Sequence, residues 1–152
     1  MSVATIRTGI KTKMESVSSV NKVLDYVVWT NDWQVIYDKF AEGTDRVNVW
    51  MVGLNASPSA VVSAGVRERQ YVYNIVGYYS IKTSDETSKV FEDMIDGIIN
   101  AFDADNSIAN GSELISKINL TAINNTIFAQ HPCHTAVMSL TVTDRTAVAN
   151  SC

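Results

Sequence analysis

The segment His131-Pro132-Cys133-His134 gathers both histidines of the chain and one of its two cysteines. Such residues could bind zinc, which needs three or four nitrogen, sulfur or oxygen ligands that converge on the ion. Neighbouring side chains on a strand point to opposite faces, so Cys133 and His134 would not meet at one metal. His134 also falls on the apolar set of an alternating segment, which favours a partly buried structural histidine. We therefore predict no metal and no cofactor, and a small metal-binding enzyme or ligand-binding protein that uses His131, Cys133 and His134 is the remote alternative.

Acidic residues form two further groups that could bind a cation or act as an acid and a base. The run that begins DADNS at Asp103 imitates an EF-hand loop, but Ile108 and Leu114 stand where glycine and glutamate are needed. Glu92 and Asp96 lie one turn apart on a predicted helix, where acids usually serve solubility. Phosphate-binding glycine loops and the G-x-S-x-G nucleophile motif are absent from the sequence. The sequence thus predicts no catalytic residue and a protein that is not an enzyme.

Arg67, Glu68 and Arg69 form the one compact group of mixed charge in the sequence. They stand at the outer end of a long predicted strand. One interpretation is an exposed ribbon that its charges protect from aggregation. The other is a set of ion pairs to an adjoining subunit, and the sequence leaves both open.

Two amphipathic helices are predicted from apolar spacing. The first covers residues 2–18, and its apolar positions recur every three or four residues, at Val3, Ile6, Ile10, Met14 and Val17. The second begins at a capping box formed by Thr83 and Glu86. Its apolar positions follow the same period, at Phe91, Met94, Ile95, Ile98, Ile99 and Phe102. Gly97 inside this helix predicts that a neighbour approaches closely, because glycine otherwise weakens a helix.

Strands are predicted where β-branched and aromatic residues cluster or alternate with polar ones. They cover residues 23–30, 46–54, 66–82 and 133–143. Arg46–Leu54 is apolar on both alternating sets, as in a strand covered on both sides. Asn55–Ser59 reads as a turn, residues 33–44 as irregular, and residues 113–129 as one or two weak strands with a possible turn at Asn124-Asn125.

This order of elements predicts one α+β domain over residues 1–146 and a flexible C-terminal tail over residues 147–152. We expect a mixed, mainly antiparallel sheet of four to five strands, with two main helices packed on one face and one long projecting strand or hairpin. Two helices are too few to cover both faces of such a sheet. The second face is therefore expected to be solvated or packed on another subunit.

Composition limits the classes of function. The chain has 152 residues and a net charge of -4 without a basic cluster, which argues against a protein that grips nucleic acid by its phosphates. An apolar content of 46% with 18% charged residues excludes disorder for the body of the chain. We expect no signal peptide and no membrane segment, because no apolar run is long enough, and two free cysteines in a reducing cytoplasm.

Three features in order resemble the tail terminator, or tail completion, proteins of long-tailed bacteriophages. They are the N-terminal amphipathic helix, the aromatic strand that leads into a capped helix (YVYNIVGYYSIKTSDETSKVFEDMIDGIINAF, Tyr71 to Phe102), and the closing strand HTAVMSLTVTDR (His134 to Arg145). The similarity covers most of the chain in order and spacing and rests on patterns rather than on an invariant motif. Residues 103–130 depart from the family pattern, which leaves another neck, connector or tail tube protein as the alternative.

The resemblance implies a structural virion protein without catalytic residues. Family members form a hexameric ring that caps the tail tube, stops its polymerisation and joins the tail to the head connector. The implied partners are other copies of the chain, the tail tube protein and the head-tail connector protein. DNA would pass through the lumen without specific binding, and the protein would reside in the tail or neck of a virion assembled in the host cytoplasm. The candidate subunit-interface residues are Arg67, Glu68 and Arg69, which could form ion pairs to an adjoining subunit, and Tyr71, Tyr73 and Trp50, because aromatic residues are enriched at protein interfaces.

Overall fold

Two helices and six strands make up the part of the chain that the computed structural model describes, which is residues 3–27, 41–42, 46–63, 66–82, 86–108, 114–128 and 131–147. The helices are α1 (Val3–Glu15) and α2 (Thr87–Ala104). The strands are β1 (Lys22–Leu24), β2 (Ala41–Glu42), β3 (Arg46–Ser63), β4 (Val66–Ser80), β5 (Leu114–Phe128) and β6 (His131–Ala147).

The sheet has the strand order β1-β3-β4-β6-β5, and β2 pairs with β3 off this path. Strand β1 runs parallel to β3, and all other pairs are antiparallel. Strands β3 and β4 form a long hairpin, since their register extends to Ser63 and Val66. The predicted α+β class with a mixed, mainly antiparallel sheet is thus confirmed.

Both helices pack on the same face of the sheet, which we call the helix face. Helix α1 buries Ile6, Ile10 and Met14, as the three- and four-residue spacing predicted. The face of α2 predicted to be apolar is buried at Phe91, Met94, Ile95, Ile98 and Phe102. These side chains form one core with alternate residues of the strands, including Tyr73 and Ile75 of β4 and Met138 and Leu140 of β6.

Gly77 and Gly97 mark two of the tight contacts in this core. A Cβ atom at Gly77 of β4 would lie 2.3 Å from a ring carbon of Trp50, so the indole occupies the space of a side chain there. Trp50 also stacks on Phe91 of α2, with ring centroids 5.7 Å apart. A Cβ atom at Gly97 would lie 3.2 Å from a methyl group of Val17, which confirms the predicted close approach of a neighbour to α2.

The opposite face of the sheet holds a second, smaller apolar cluster at the β3 side. It contains Leu24, Val47, Val49, Met51 and Cys133. Tyr78 and Phe128 pack against this cluster and stack on each other with ring centroids 4.0 Å apart. Residues 47–52 are therefore buried on both alternating sets, as predicted for a strand covered on both sides.

The predicted turns at Asn55–Ser59 and Asn124-Asn125 are wrong. Residues 55–59 lie inside β3, where two register shifts toward β4, at Leu54/Ala56 and at Ala56/Ser59, absorb the turn-prone residues as bulges. Asn124 and Asn125 lie inside β5, which is one long strand rather than one or two weak ones. The fourteen partners that β6 offers along β5 outweigh the turn preference of two asparagines.

Three boundaries differ from prediction. Helix α2 begins at Thr87, with Glu86 at the N-cap in the left-handed region (φ 52°) and without a side-chain cap, and the predicted cap Thr83 lies outside the described residues. The strand predicted over residues 23–30 is β1, at Lys22–Leu24, and residues 28–30 are outside the described part. Strand β6 continues to Ala147, one residue into the predicted tail, whose remaining residues are not described. Of the residues predicted to be irregular, only 41–42 are described, and they form β2.

Candidate functional site

The three aromatic residues predicted at a subunit interface lie in the core instead. Trp50 and Tyr73 have no exposed surface, and Tyr71 is 2% exposed. Their side chains belong to the core under α1 and α2, because they sit on the alternate set of β3 and β4 that faces the helices. The Tyr73 hydroxyl donates a hydrogen bond to the carbonyl oxygen of Val3 at 3.3 Å. Their assignment to an interface was wrong, since no surface remains for a partner to touch.

At the outer end of β4, two of the three charged residues stand opposite residues of the other charge in the backbone register with β6. In the register of β4 and β6, Glu68 stands opposite Arg145 and Arg69 stands opposite Asp144. Glu68 and Arg69 are half-buried, and Asp144 is buried. Arg67 stands opposite Thr146 in the backbone register. Opposite charges that face each other across strands stabilise a sheet, so this register favours the ribbon interpretation over ion pairs to another subunit.

His134 connects the sheet to the beginning of α2 through two hydrogen bonds. The backbone N–H of Lys82 donates to the Thr87 hydroxyl at 3.0 Å. That hydroxyl can then donate its own proton to Nε2 of His134, 2.9 Å away, while Nδ1–H of His134 donates to Oδ1 of Asn125 at 3.0 Å. The neutral imidazole with its proton on Nδ1 satisfies this chain of bonds. His134 is thereby a structural link between α2, β6 and β5.

Burial lowers the pKa of His134 below its ordinary value, and the nearby carboxylate of Glu92 opposes this shift. The hydroxyl–imidazole–amide order resembles the arrangement of a nucleophile, a base and an orienting group. Thr87 is only 2% exposed and already accepts the bond from Lys82, so its oxygen has no path to a substrate. The geometry supports a role in packing and orientation.

Cys133 and His134 face opposite sides of the sheet, as the alternation predicted. Cys133 is buried in the cluster on the β3 side, and burial raises the pKa of its thiol to about 11. Within the ranges that the structure describes, no three His, Cys, Asp or Glu side chains are grouped as metal ligands would be. His131, Cys133 and His134 are thus not brought together. The described helices also include none that is both long and apolar enough to cross a membrane.

Two grooves flank the helices. One, of about 400 Å³, lies between α2 and β5 and is lined by Ser88, Phe91, Glu92, Ile123, Asn124, Asn125 and His134. The other, of about 840 Å³, follows the small and hydroxyl-bearing side chains of α1. The hydroxyl of Thr12 in this second groove donates to the carbonyl oxygen of Thr8 at 2.9 Å. The amino group of Lys13 bonds to the carbonyl of Asp105 and lies 5.5 Å from the centroid of Phe102, so it is held against the end of α2.

The part of the sheet around β4, β6 and β5 that faces away from the helices carries almost no charge. We call this surface the open face. Its residues, all half-buried or exposed, are Val72, Asn74 and Val76 of β4, Thr135, Val137, Ser139 and Thr141 of β6, and Lys117, Asn119, Ala122, Asn124 and Thr126 of β5. Lys117 is the single ionisable member of this set. Such a flat surface of valine, serine, threonine and asparagine suits contact with another protein surface.

The outer edge of β5 is a second exposed surface, and sequence analysis missed it. Among the described residues, no strand pairs with the side of β5 that faces away from β6. The backbone N–H of Ser116 donates to the carbonyl oxygen of Asn106 at 2.9 Å, which covers only the start of the strand. We call the remainder, residues 117–128, the β5 edge. Three of its apolar side chains are exposed: Leu120 at 43%, Ile123 at 44% and Ile127 at 75%.

No family model matches this chain, and no curated protein matches it.

Proposed function

We propose that this protein is a structural component of a bacteriophage tail, a tail terminator that forms a hexameric ring, caps the tail tube and joins it to the head connector. The family pattern in the sequence motivates the proposal. The α+β fold agrees in class with the fold that this resemblance implies. His134 is hydrogen-bonded to Thr87 of α2, and Cys133 is buried in the smaller apolar cluster.

The observation that carries the proposal is the one-sided sheet. Both helices lie on the helix face, and the open face across β4, β6 and β5 has no covering helix among the described elements. A sheet of this kind commonly buries one face in its own core and offers the other to solvent or to a partner. In a ring, such a face gives each subunit a flat contact surface that a monomeric enzyme would not need.

Ring closure requires two different surfaces on each subunit, because neighbours around a rotation axis meet head to tail. The open face offers one surface, and the far end of the β3–β4 hairpin offers the other. Neither depends on Trp50, Tyr71 or Tyr73, which the core retains. The resemblance supplies the number six, and a hexamer of 16.7 kDa chains would have a mass of about 100 kDa.

The charge of the chain supports passage of DNA through such a ring. The net charge is -4, and the open face carries Lys117 as its single ionisable residue. Proteins that hold DNA do so largely through Lys and Arg at the phosphates, and each such contact adds affinity. A lumen with few basic groups would let the duplex slide.

The test is the growth of tail tubes from purified tube protein of the same virus, followed by light scattering and negative-stain microscopy. We expect substoichiometric amounts of this protein to stop elongation and leave a six-fold ring at one end of each tube. The Val137→Lys variant, which places a charge on the open face, should need at least tenfold more protein, because an unpaired charge at an interface must be desolvated. Val90→Lys is the matched control, since Val90 is 38% exposed on α2. Tubes that elongate unchecked with the wild-type protein present would refute the proposal.

A further inference from the structure

Residues 122–128 of the β5 edge lack the devices that keep strand edges from pairing with other chains. Natural edge strands carry inward-pointing charges, prolines, bulges or covering loops, or are very short. Strand β5 has 15 residues, no proline and one ionisable residue, Lys117. Its one register shift lies between Leu120 and Ala122, which leaves residues 122–128 as a regular segment. An exposed edge of this length is a template for an added strand.

This segment is complementary to itself in one antiparallel register, centred on Asn125. In that register Ile123 faces Ile127 of a second copy, and Ile127 faces Ile123 of that copy. Asn125 faces its own counterpart, and both isoleucines and Asn125 lie on the helix face, where they stand beside Ala136, Pro132 and His134 of β6. Apolar residues therefore meet apolar residues, and an asparagine meets an asparagine, across the two strands.

The remaining pairs of the same register also match. Asn124 faces Thr126 of the second copy, so that two polar side chains meet on the open face. Ala122 faces Phe128, which places a small side chain next to a large one. Phe128 is held in position by its stack on Tyr78. A shift of this register by one residue would place apolar residues on the wrong face. A shift by two residues would keep the faces but place Ile123 or Ile127 opposite Asn125 of the second copy, so the pairing of like side chains favours this alignment.

The groove between α2 and β5 gives the partner's isoleucine a place to lie. Ile123 and Asn125 line this groove together with Phe91 and His134. Ile127 of the second copy would stand next to Ile123 and so at the mouth of the groove. At 75% exposure, Ile127 has the most exposed of the large apolar side chains in the described residues, and pairing would cover it.

We propose that two copies of this chain associate through β5, in antiparallel register about a two-fold axis at Asn125, to form a dimer with one continuous sheet. A two-fold contact is not a contact between neighbours of a cyclic ring. The dimer is thus a state of the free protein, and the inference does not depend on the proposed function. Pairing would cover an edge that is otherwise a template for aggregation.

The test combines sedimentation equilibrium with directed cross-linking. Wild-type protein should reach a mass of about 33 kDa, twice that of one chain, as its concentration is raised. Ile127→Lys should weaken association at least tenfold, because the lysine would stand opposite Ile123 of the other copy. Leu54→Lys is the matched control, since Leu54 is 45% exposed at the other side of the sheet, and it should leave the dimer intact.

Cross-linking tests the register independently. In a Cys152→Ser background, Asn125→Cys should form an intermolecular disulfide under mild oxidation, because directly opposed residues of antiparallel strands lie within reach of one. Asn119→Cys, equally exposed but without an opposite residue in this register, should not. A wild-type protein that stays monomeric, a dimer that survives Ile127→Lys, or equal cross-linking at 119 and 125 would each overturn the inference. The same β5 variants should also be tested for tube capping. A variant that loses the dimer and still caps tubes would show that the two proposals can fail separately.

Discussion

The two edges of the sheet differ in how they are protected. At one edge, the described strands beside β3 are the short β1 and β2. The register of β3 with β4 shifts twice, and Pro58 lies within the second irregular stretch. At the other edge, β5 is long, contains no proline and exposes Ile123 and Ile127. The difference indicates that the fold blunts one edge and leaves the other available for pairing.

The comparison also separates two meanings of an exposed apolar side chain. Leu54 is exposed on β3 where the register with β4 is irregular, so an added strand would lack a continuous series of backbone hydrogen-bond partners. Ile127 is exposed on the regular segment of β5, where the backbone donors and acceptors alternate without interruption. Exposure is similar in kind at both sites, but only the β5 edge combines it with an intact backbone template.

The largest expected effect concerns the central strand β4, which lies between the two edges and belongs to the sheet that carries both. Gly77→Ala in the central strand β4 should lower the free energy of unfolding by about 3 kcal/mol, since the new methyl group would overlap the Trp50 ring under α2. Chemical denaturation measures this loss. Gly53→Ala is the matched control at the β3 side, where the nearest group, at 2.9 Å, is the end of the Val27 side chain, and it should cost under 1 kcal/mol. Equal losses would contradict the tight contact assigned to Gly77.

A smaller effect is expected from His134, which connects β5 to α2 by hydrogen bonds and so concerns the β5 side of the comparison. Burial keeps the pKa of His134 below its unfolded value of 6.5, with Glu92 opposing, so the unfolded state binds its proton first as the pH falls. Stability is therefore fully present above pH 6.5 and should fall as the solution is acidified below it, by at most about 1.4 kcal/mol per pH unit. Urea unfolding at pH 7.5, 6.5 and 5.5 measures the slope.

The matched pair for this experiment is His134→Gln and His131→Gln. His134→Gln should remove the part of the fall in unfolding free energy between pH 6.5 and 5.5 that His134 causes. His131→Gln keeps His134 and should therefore keep that part of the fall. A His134→Gln protein with the wild-type slope would contradict the lowered pKa that burial gives the His134 imidazole.

The smallest expected effect concerns Pro58 at the protected edge. Pro58→Thr restores a backbone donor within β3, so association at that edge should increase several-fold in rate, without a change in unfolding free energy beyond about 1 kcal/mol. Light scattering at 37 °C measures the association. Ser59→Thr, which changes a neighbour but keeps the proline, should behave as wild type. An unchanged rate in Pro58→Thr would mean that the register shifts alone protect β3.

The spacing of apolar residues was sufficient to predict the helices and the faces of β4 and β6. An element that buries one face has apolar residues at regular intervals, and these can be read from the sequence. This spacing failed for β5, where Asn124 and Asn125 carry a turn preference that the ladder with β6 overrides. It also failed at residues 55–59, since a bulge and a turn use the same residue types.

The site was less predictable than the fold. Trp50, Tyr71 and Tyr73 were assigned to an interface, but aromatic residues favour interfaces and cores alike, and residue type does not distinguish the two. The β5 edge was missed because strand order, which makes β5 an edge, depends on contacts distant in sequence. The change of alternation after Leu120 was the available signal, since isoleucines recur on one face from Ile123 to Ile127.

The central claim is that this protein acts by assembly at the end of a tail tube, and labelling intact virions tests it most directly. Particles decorated with a gold-conjugated antibody against the protein should carry the label at the junction between the tail and the capsid. Label found elsewhere on the particle would contradict the account. So would particles that contain the protein and never bind gold at that junction.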